Sequence, residues 1–187
     1  SDCYAYLALA AQQTRQIRLG TGVAVTGTRI APVTAHSIAT INCLAPGRTF
    51  LGVGTGNTAQ RLMGQRPVKY AAYAEYIRVV RALLDGEEVD YEQNGQQFPV
   101  RFDRSGPGCI NIEDHIPIHV SGFYARTYRL AGQFGDGLVC SIPPHRDFVT
   151  RTLANVQRGA EEVGRSLPDA FRVSSLSSVA VLEPGEA

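Results

Sequence analysis

The chain has 187 residues, 44% of them apolar and 19% charged, with a formal net charge of +1. That is enough for one domain with a buried core, and too apolar for a disordered chain. No basic stripe stands out to favour nucleic acid or a membrane surface, no apolar run reaches the roughly 18 residues of a membrane span, and no secretory leader pattern opens the chain.

Residues 4–13, YAYLALAAQQ, are rich in Ala and Leu and predict a helix. IRLGTGVAV (17–25) reads as a strand of branched residues interrupted by glycine. Pro32 suits the first turn of a helix that runs to about Leu44, where Pro46-Gly47 stops it. RTFLGVG (48–54) is a second strand. Tyr73, Tyr76, Ile77, Val80, Leu83 and Leu84 then recur at helical spacing, and Gly86 ends that helix. Tyr70, Tyr73 and Tyr76 are assigned to its face and core. Residues 88–102 predict a hairpin turning at Asn94-Gly95, followed by a Gly/Pro loop at 105–108. IPIHVSG (116–122) is a third strand, 124–134 a helix, GDGLVCSI (135–142) a fourth strand, 145–164 a long helix and 171–183 a fifth strand. The ordered parallel strands are therefore expected at 17–25, 48–54, 116–121, 137–142 and 172–182. Apolar strands alternating with helices argue a parallel sheet or barrel, in one domain spanning 1–187.

Cys3, Cys43, Cys109 and Cys140 lie far apart without a CxxC pair, which reads as reduced, mostly buried thiols in a cytoplasmic protein. Cys140 is read as core, not as a nucleophile. His115 and His119 flank a strand start and share no helix face, so no metal site is expected.

The chemistry question sits in Gly52-Val53-Gly54-Thr55-Gly56-Asn57, at the end of the second strand. Gly54 to Ala59 fits the GxGxxA pattern of dinucleotide folds. However, Pro67 interrupts 11 residues after Gly56, and Glu75 falls inside a helical pattern instead of at a strand end. Taken alone, these glycines read as close packing at a strand end.

They do not stand alone. TRQIRLGTGV, APVTAHSIATINCLAPGRTFLGVGTGN, MGQRPVKYAAYAEYIRVVRALLDGEEVDYE, IPIHVSG and LAGQFGDGLV occur in this order. Together they resemble the luciferase-like monooxygenase superfamily, and most of all its coenzyme F420-dependent reductases and dehydrogenases, such as methylenetetrahydromethanopterin reductase. The resemblance covers nearly the whole chain. It implies an α/β fold, the (β/α)8 TIM barrel, with the active site at the strand C-termini. It also implies F420 as cofactor, with FMN as the alternative, a small organic substrate and a homodimer.

On this resemblance Gly54, Thr55 and Gly56 let the backbone approach the cofactor ring. Asn57 stands where the glucose-6-phosphate dehydrogenase branch has a glutamate proposed as proton donor. An amide orients a ligand by hydrogen bonds but delivers no proton, and capping of the following helix is its other reading. The family's bulge with a non-proline cis peptide behind the ring matches Gly20-Thr21-Gly22-Val23 and is placed at Gly22–Val23, an ordinary glycine bulge being the alternative. The glycine-rich turn after the third strand matches Ser121-Gly122-Phe123-Tyr124, whose backbone N–H groups at a helix start suit an anion. Phe123 and Tyr124 are bulkier than that pattern expects, and Arg126 is either an anion partner or a solvated arginine. The expected cofactor face is thus Gly22, Val23, Gly54, Thr55, Gly56, Asn57, Ser121, Gly122, Phe123 and Tyr124, with the catalytic residues unassigned. Substrate contacts are expected from loops 58–70 and 103–115.

A complete barrel needs eight strand–helix units and about 250 residues. The resemblance places the first two strands, with the family's catalytic His and Trp positions, and the last strand outside this chain, so an incomplete barrel of about five parallel strands is expected from a fragment. Three activities follow: hydride transfer between F420 and an organic substrate, FMN-dependent oxygenation with molecular oxygen, or flavin binding without turnover.

Overall fold

In the computed structural model, which describes residues 2–93, 95–103 and 108–176, strands and helices alternate in the predicted order. Helix α1 (Cys3–Gln13) precedes strand β1 (Leu19–Val25), and α2 (Ala31–Leu44) precedes β2 (Thr49–Gly54). A short α3 (Asn57–Leu62) and α4 (Tyr70–Leu84) follow, then the hairpin β3 (Val89–Gln93) and β4 (Gln96–Val100). The chain continues through β5 (Ile118–Ser121), α5 (Ala125–Phe134), β6 (Gly137–Cys140), α6 (Arg146–Glu162) and β7 (Arg172–Ser175). The main sheet has the order β1-β2-β5-β6-β7, and each neighbouring pair is parallel. This is a partial barrel of five strands among the described residues; the hairpin forms its own antiparallel pair. The predicted turn residue Asn94, residues 105–107 of the Gly/Pro loop and the fifth strand beyond Leu176 lie outside the described residues.

Local chemistry sets the element ends. Asp2 caps α1, its Oδ1 accepting from the N–H groups of Tyr4 (2.9 Å) and Ala5 (3.2 Å). Pro32 sits in the first turn of α2, where its missing N–H is not needed. The segment expected as a loop at 58–70 contains most of α3, six residues long, which ends at the Met63 cap with Gly64 in the left-handed region (φ +70°).

The sheet is layered by the two-residue period of its strands. Leu51, Val53, Ile118, Val120 and Leu138 point outward and are fully buried with Ile38, Tyr73, Ile77 and Leu130 of the helices. Cys140 belongs to this core, and burial pushes its thiol pKa up, against a nucleophilic role. The expectation of mostly buried thiols is corrected: Cys3 and Cys109 are exposed and Cys43 is half-buried, all of them free. Cys3 lies in the first turn of α1, and Cys109 lies in an irregular connection, so neither reaches the core. No described helix is long and apolar enough to cross a membrane.

Candidate functional site

The sheet's other face carries Phe50, Gly52 and Gly54 of β2 beside His119 and Ser121 of β5, and it ends at the strand C-termini. There β1 leaves the regular ladder. Thr21 pairs with Leu51, but Ala24 pairs with Val53, so β1 inserts one extra residue. The Gly22–Val23 peptide within this bulge is cis, as the resemblance implies. The buried Thr21 hydroxyl donates to the Gly52 carbonyl at 2.6 Å and holds the bulge against β2.

The glycines of the two strands play different parts. A Cβ built on Gly54 would lie 2.8 Å from Val23 Cγ2 and 3.1 Å from Ser121 Cβ. The bulge on β1, the end of β2 and the end of β5 therefore converge on one point. Gly56 adopts φ +59° as the residue before α3, and a Cβ there would lie 2.5 Å from Val25 Cγ2. The side-chain space of Gly54 and Gly56 is thus filled by valines of β1, which is the packing reading of those glycines. The open glycine is Gly22, which is exposed and whose added Cβ would meet nothing within 4 Å among the described residues.

Thr55 is half-buried directly after β2, and Asn57 is exposed as the first residue of α3. Gly56 occupies the cap position, and no side-chain cap bond forms, so the capping reading of Asn57 is excluded. After β5, the Gly122 N–H donates to the Val139 carbonyl at 3.0 Å and the Tyr124 N–H donates to Thr127 Oγ1 at 3.2 Å. Two of the N–H groups offered to an anion are therefore used within the fold. Phe123 and Tyr124 are exposed beside them. Arg126 is not simply solvated: its guanidinium lies 4.8 Å from the Tyr70 ring centroid, and the Tyr70 hydroxyl donates to the Arg126 carbonyl at 3.3 Å.

Tyr73 is the contributor that helical spacing alone assigns to the core. It is fully buried, and its hydroxyl lies 2.8 Å from both the Val53 and the Ser121 carbonyl oxygens. It ties the ends of β2 and β5 together beneath the site. Burial, partly offset by the Ser121 contact, pushes its phenol pKa up, so it stays a donor. The legible signal is a hydroxyl on an apolar stripe, since a buried tyrosine needs a partner. Tyr73→Phe is expected to lower stability by about 1–2 kcal/mol in urea unfolding at neutral pH.

The opposite end of the sheet is charged. A cleft of about 160 Å³ lies at the strand starts, lined by Arg18, His115, His119, Asp136 and Arg172. His119 is buried and stacks on Phe50 with ring centroids 5.0 Å apart, and burial followed by the Arg18 charge lowers its pKa. This end faces away from Gly54 and Ser121 and organises the fold.

The family model described as luciferase-like monooxygenase matches residues 1–187. The chain belongs to this family. The F420-dependent glucose-6-phosphate dehydrogenase of Beutenbergia cavernae is 33% identical over 179 residues, covering 88% of this chain and 49% of the relative. Among solved structures, the coenzyme F420 dependent tetrahydromethanopterin reductase of Methanopyrus kandleri is 27% identical, with TM-score 0.73, covering 94% of this chain and 54% of that one. A type II Baeyer–Villiger monooxygenase component from Pseudomonas putida, solved with FMN, shares the fold with TM-score 0.70 at 20% identity, covering 92% and 52%. This luciferase-like chain spans about half the length of the relatives it matches.

Proposed function

We propose that residues 1–187, as one partial-barrel domain, contribute the cofactor face of an F420-dependent oxidoreductase that moves a hydride between F420 and a small organic substrate. The observation that carries this reading is the open Gly22–Val23 bulge, packed through Gly54 onto Ser121 at the C-terminal end of three parallel strands. Gly22 leaves its backbone exposed beside the half-buried Val23, which suits the approach of a fused ring. Gly22, Val23 and Ser121 would bear on the ring, with Gly54, Thr55 and Gly56 holding their geometry. Asn57, Gly122, Phe123 and Tyr124 would border it. The bound deazaflavin would supply the hydride chemistry. The chain's own residues bind, orient and exclude water. Asn57 can hydrogen-bond substrate or cofactor but holds no transferable proton near neutral pH.

F420 is favoured over FMN because the F420-dependent relative reaches 33% identity, whereas the FMN-bound neighbour shares the fold at 20%. We place the protein as a cytoplasmic homodimer, for which Tyr6 and Leu9, exposed on the charge-free α1, offer apolar surface. The test is titration of the full-length protein with F420 and FMN, followed by turnover in an oxygen electrode. Binding of F420 with turnover that consumes no oxygen is expected. FMN binding with stoichiometric oxygen uptake would move the assignment to a monooxygenase, and binding without turnover to a cofactor carrier. In the active protein, Asn57→Ala should lower turnover about tenfold with an unchanged pH profile, as loss of one neutral orienting hydrogen bond does. Loss of a titrating limb in that variant would contradict this role.

A further inference from the structure

The connection from α4 to β5 is pinned along α2. The Phe102 ring meets His36 edge-on, with centroids 5.9 Å apart. Farther on, the Asn111 N–H donates to the Ala39 carbonyl at 3.0 Å, and Asn42 Nδ2 donates to the carbonyls of Asn111 (3.0 Å) and Asp114 (2.9 Å). Asn42 is fully buried, and its Oδ1 accepts from Thr49 Oγ1 at 2.6 Å, at the start of β2. These bonds hold residues 111–114 at the strand-start end of the sheet, away from Gly54 and Ser121. This part of the segment expected to contact substrate, 103–115, is therefore remote from the cofactor face.

The same anchoring brings two thiols together. Cys43 lies in the last turn of α2, next to Asn42, and Cys109 stands two residues before Asn111. Cys43 Sγ is 3.9 Å from the carbonyl oxygen of Gly108, the residue bonded to Cys109. Peptide geometry puts the Cα of the following residue about 2.8 Å from a carbonyl oxygen, so Cys109 Cα lies within about 7 Å of Cys43 Sγ. Gly108 leaves room for the adjustment that a bond between the sulfurs requires, since a Cβ built there meets nothing within 4 Å among the described residues. Both thiols are free, Cys109 exposed and Cys43 half-buried. Burial, and after it the charge of Cys109, pushes the Cys43 thiol pKa up. Cys43 is thus a poor first nucleophile, and the accessible Cys109 meets an oxidant before it does.

We propose that Cys43 and Cys109 form a dithiol site that closes to an intramolecular disulfide on reaction with a small-molecule disulfide, clamping the α4–β5 connection to the end of α2. The Cys109 thiolate attacks the small disulfide, RSSR, and displaces one thiolate, which takes up a proton as RSH. Cys43 then gives up its proton and attacks Cys109 Sγ in the mixed disulfide, displacing the second RSH. Two protein thiols are oxidised and one RSSR is reduced to two RSH, so electrons and protons balance. The new bond closes a long loop of chain, and the oxidised form therefore resists unfolding. The site is independent of the cofactor reading.

The test treats the full-length protein with oxidised glutathione, blocks the remaining thiols with iodoacetamide and maps the unreduced peptides by mass spectrometry. The expected product is a peptide joining Cys43 to Cys109, lighter by two hydrogens than the separate peptides and about tenfold or more abundant than any other cysteine pair, because closure is intramolecular. Its yield should not depend on protein concentration. Cys43→Ser should strand Cys109 as its glutathione adduct, and Cys109→Ser should leave Cys43 alkylated. The native urea midpoint should rise on oxidation and return with dithiothreitol, whereas neither variant should show this shift. A native protein in which Cys109 keeps its glutathione while Cys43 is alkylated overturns the proposal. So does one in which both are alkylated, or one in which the link joins two molecules. The native peptide map decides the matter even if a variant misfolds.

Discussion

Gly52→Ala is expected to destabilise the protein by about 3 kcal/mol, the upper range for forcing an atom into a packed interior. Gly52 is buried in the middle of β2, and a Cβ there would lie 2.1 Å from the Thr21 carbonyl oxygen and 3.3 Å from Val23 Cγ1. The first of these is a backbone atom in a paired strand, so no rotamer change relieves it. Thr21 is held to β2 twice, by its pairing with Leu51 and by its hydroxyl bond to the Gly52 carbonyl. Relief therefore requires β1 to move away from β2 at the bulge, which also displaces Val23 from Gly54. The same substitution at Gly22 adds a methyl group that meets nothing within 4 Å. Gly22→Ala should leave stability within about 1 kcal/mol, in the range of a surface change, while lowering cofactor affinity by obstructing the open backbone. Urea unfolding and cofactor titration of both variants separate the two effects. A stable Gly52→Ala protein with native cofactor affinity would show that the bulge is not the support of this face.

The strands and long helices were legible because burial on one or both faces imposes a period on the chain. The five parallel strands at 19–25, 49–54, 118–121, 137–140 and 172–175 fall inside the expected segments. The bulge at Gly22–Val23 was reached through the family resemblance, since composition says only that glycine is present. What fills a glycine's missing side chain was not legible. The occupants at Gly54 and Gly56 are Val23 and Val25, about thirty residues away in sequence, and only strand register brings them there. The same holds for Tyr73, whose hydroxyl partners are backbone carbonyls on two other elements. Asn57 looked equally suited to cap α3, but the left-handed conformation of Gly56 gives the cap position to the preceding residue. The use of the Gly122 N–H by β6 depends on a strand pairing that no local motif encodes.

Asp136→Asn is expected to destabilise the protein by about 2–3 kcal/mol at pH 7, with the gap closing as pH falls below about 4. Asp136 stands just before β6 with its side chain only 14% exposed. Its Oδ2 accepts from the Ile118 N–H at 2.9 Å and from Arg81 Nη1 at 3.1 Å, and lies 3.3 Å from His115 Nε2. Arg165 Nη2 lies 3.8 Å from its Oδ1. Its backbone continues the same junction, the N–H donating to the Ile118 carbonyl and the carbonyl accepting from the Arg172 N–H. The carboxylate thus ties the starts of β5 and β6 to α4, and the backbone of the same residue reaches β7. Burial by itself would raise its pKa. The hydrogen bonds from His115 and the Ile118 N–H, together with the Arg81 charge, outweigh burial and hold it below the ordinary carboxylate value. A carboxyl whose folded-state pKa is depressed contributes stability that is fully present above the unfolded value, near 3.8, and is lost as pH falls through the lower folded value. Asparagine keeps an acceptor for Ile118 but loses the charge that faces Arg81 and Arg165, and it turns an amide donor toward one of them. Below the folded pKa the native side chain is itself neutral, so the two proteins should then unfold at similar urea concentrations. Comparing native protein and variant at each pH removes the contributions of the other carboxylates. A difference that stays constant from pH 7 to pH 3 would mean that Asp136 acts through shape alone, and the ionic account of this junction would fail.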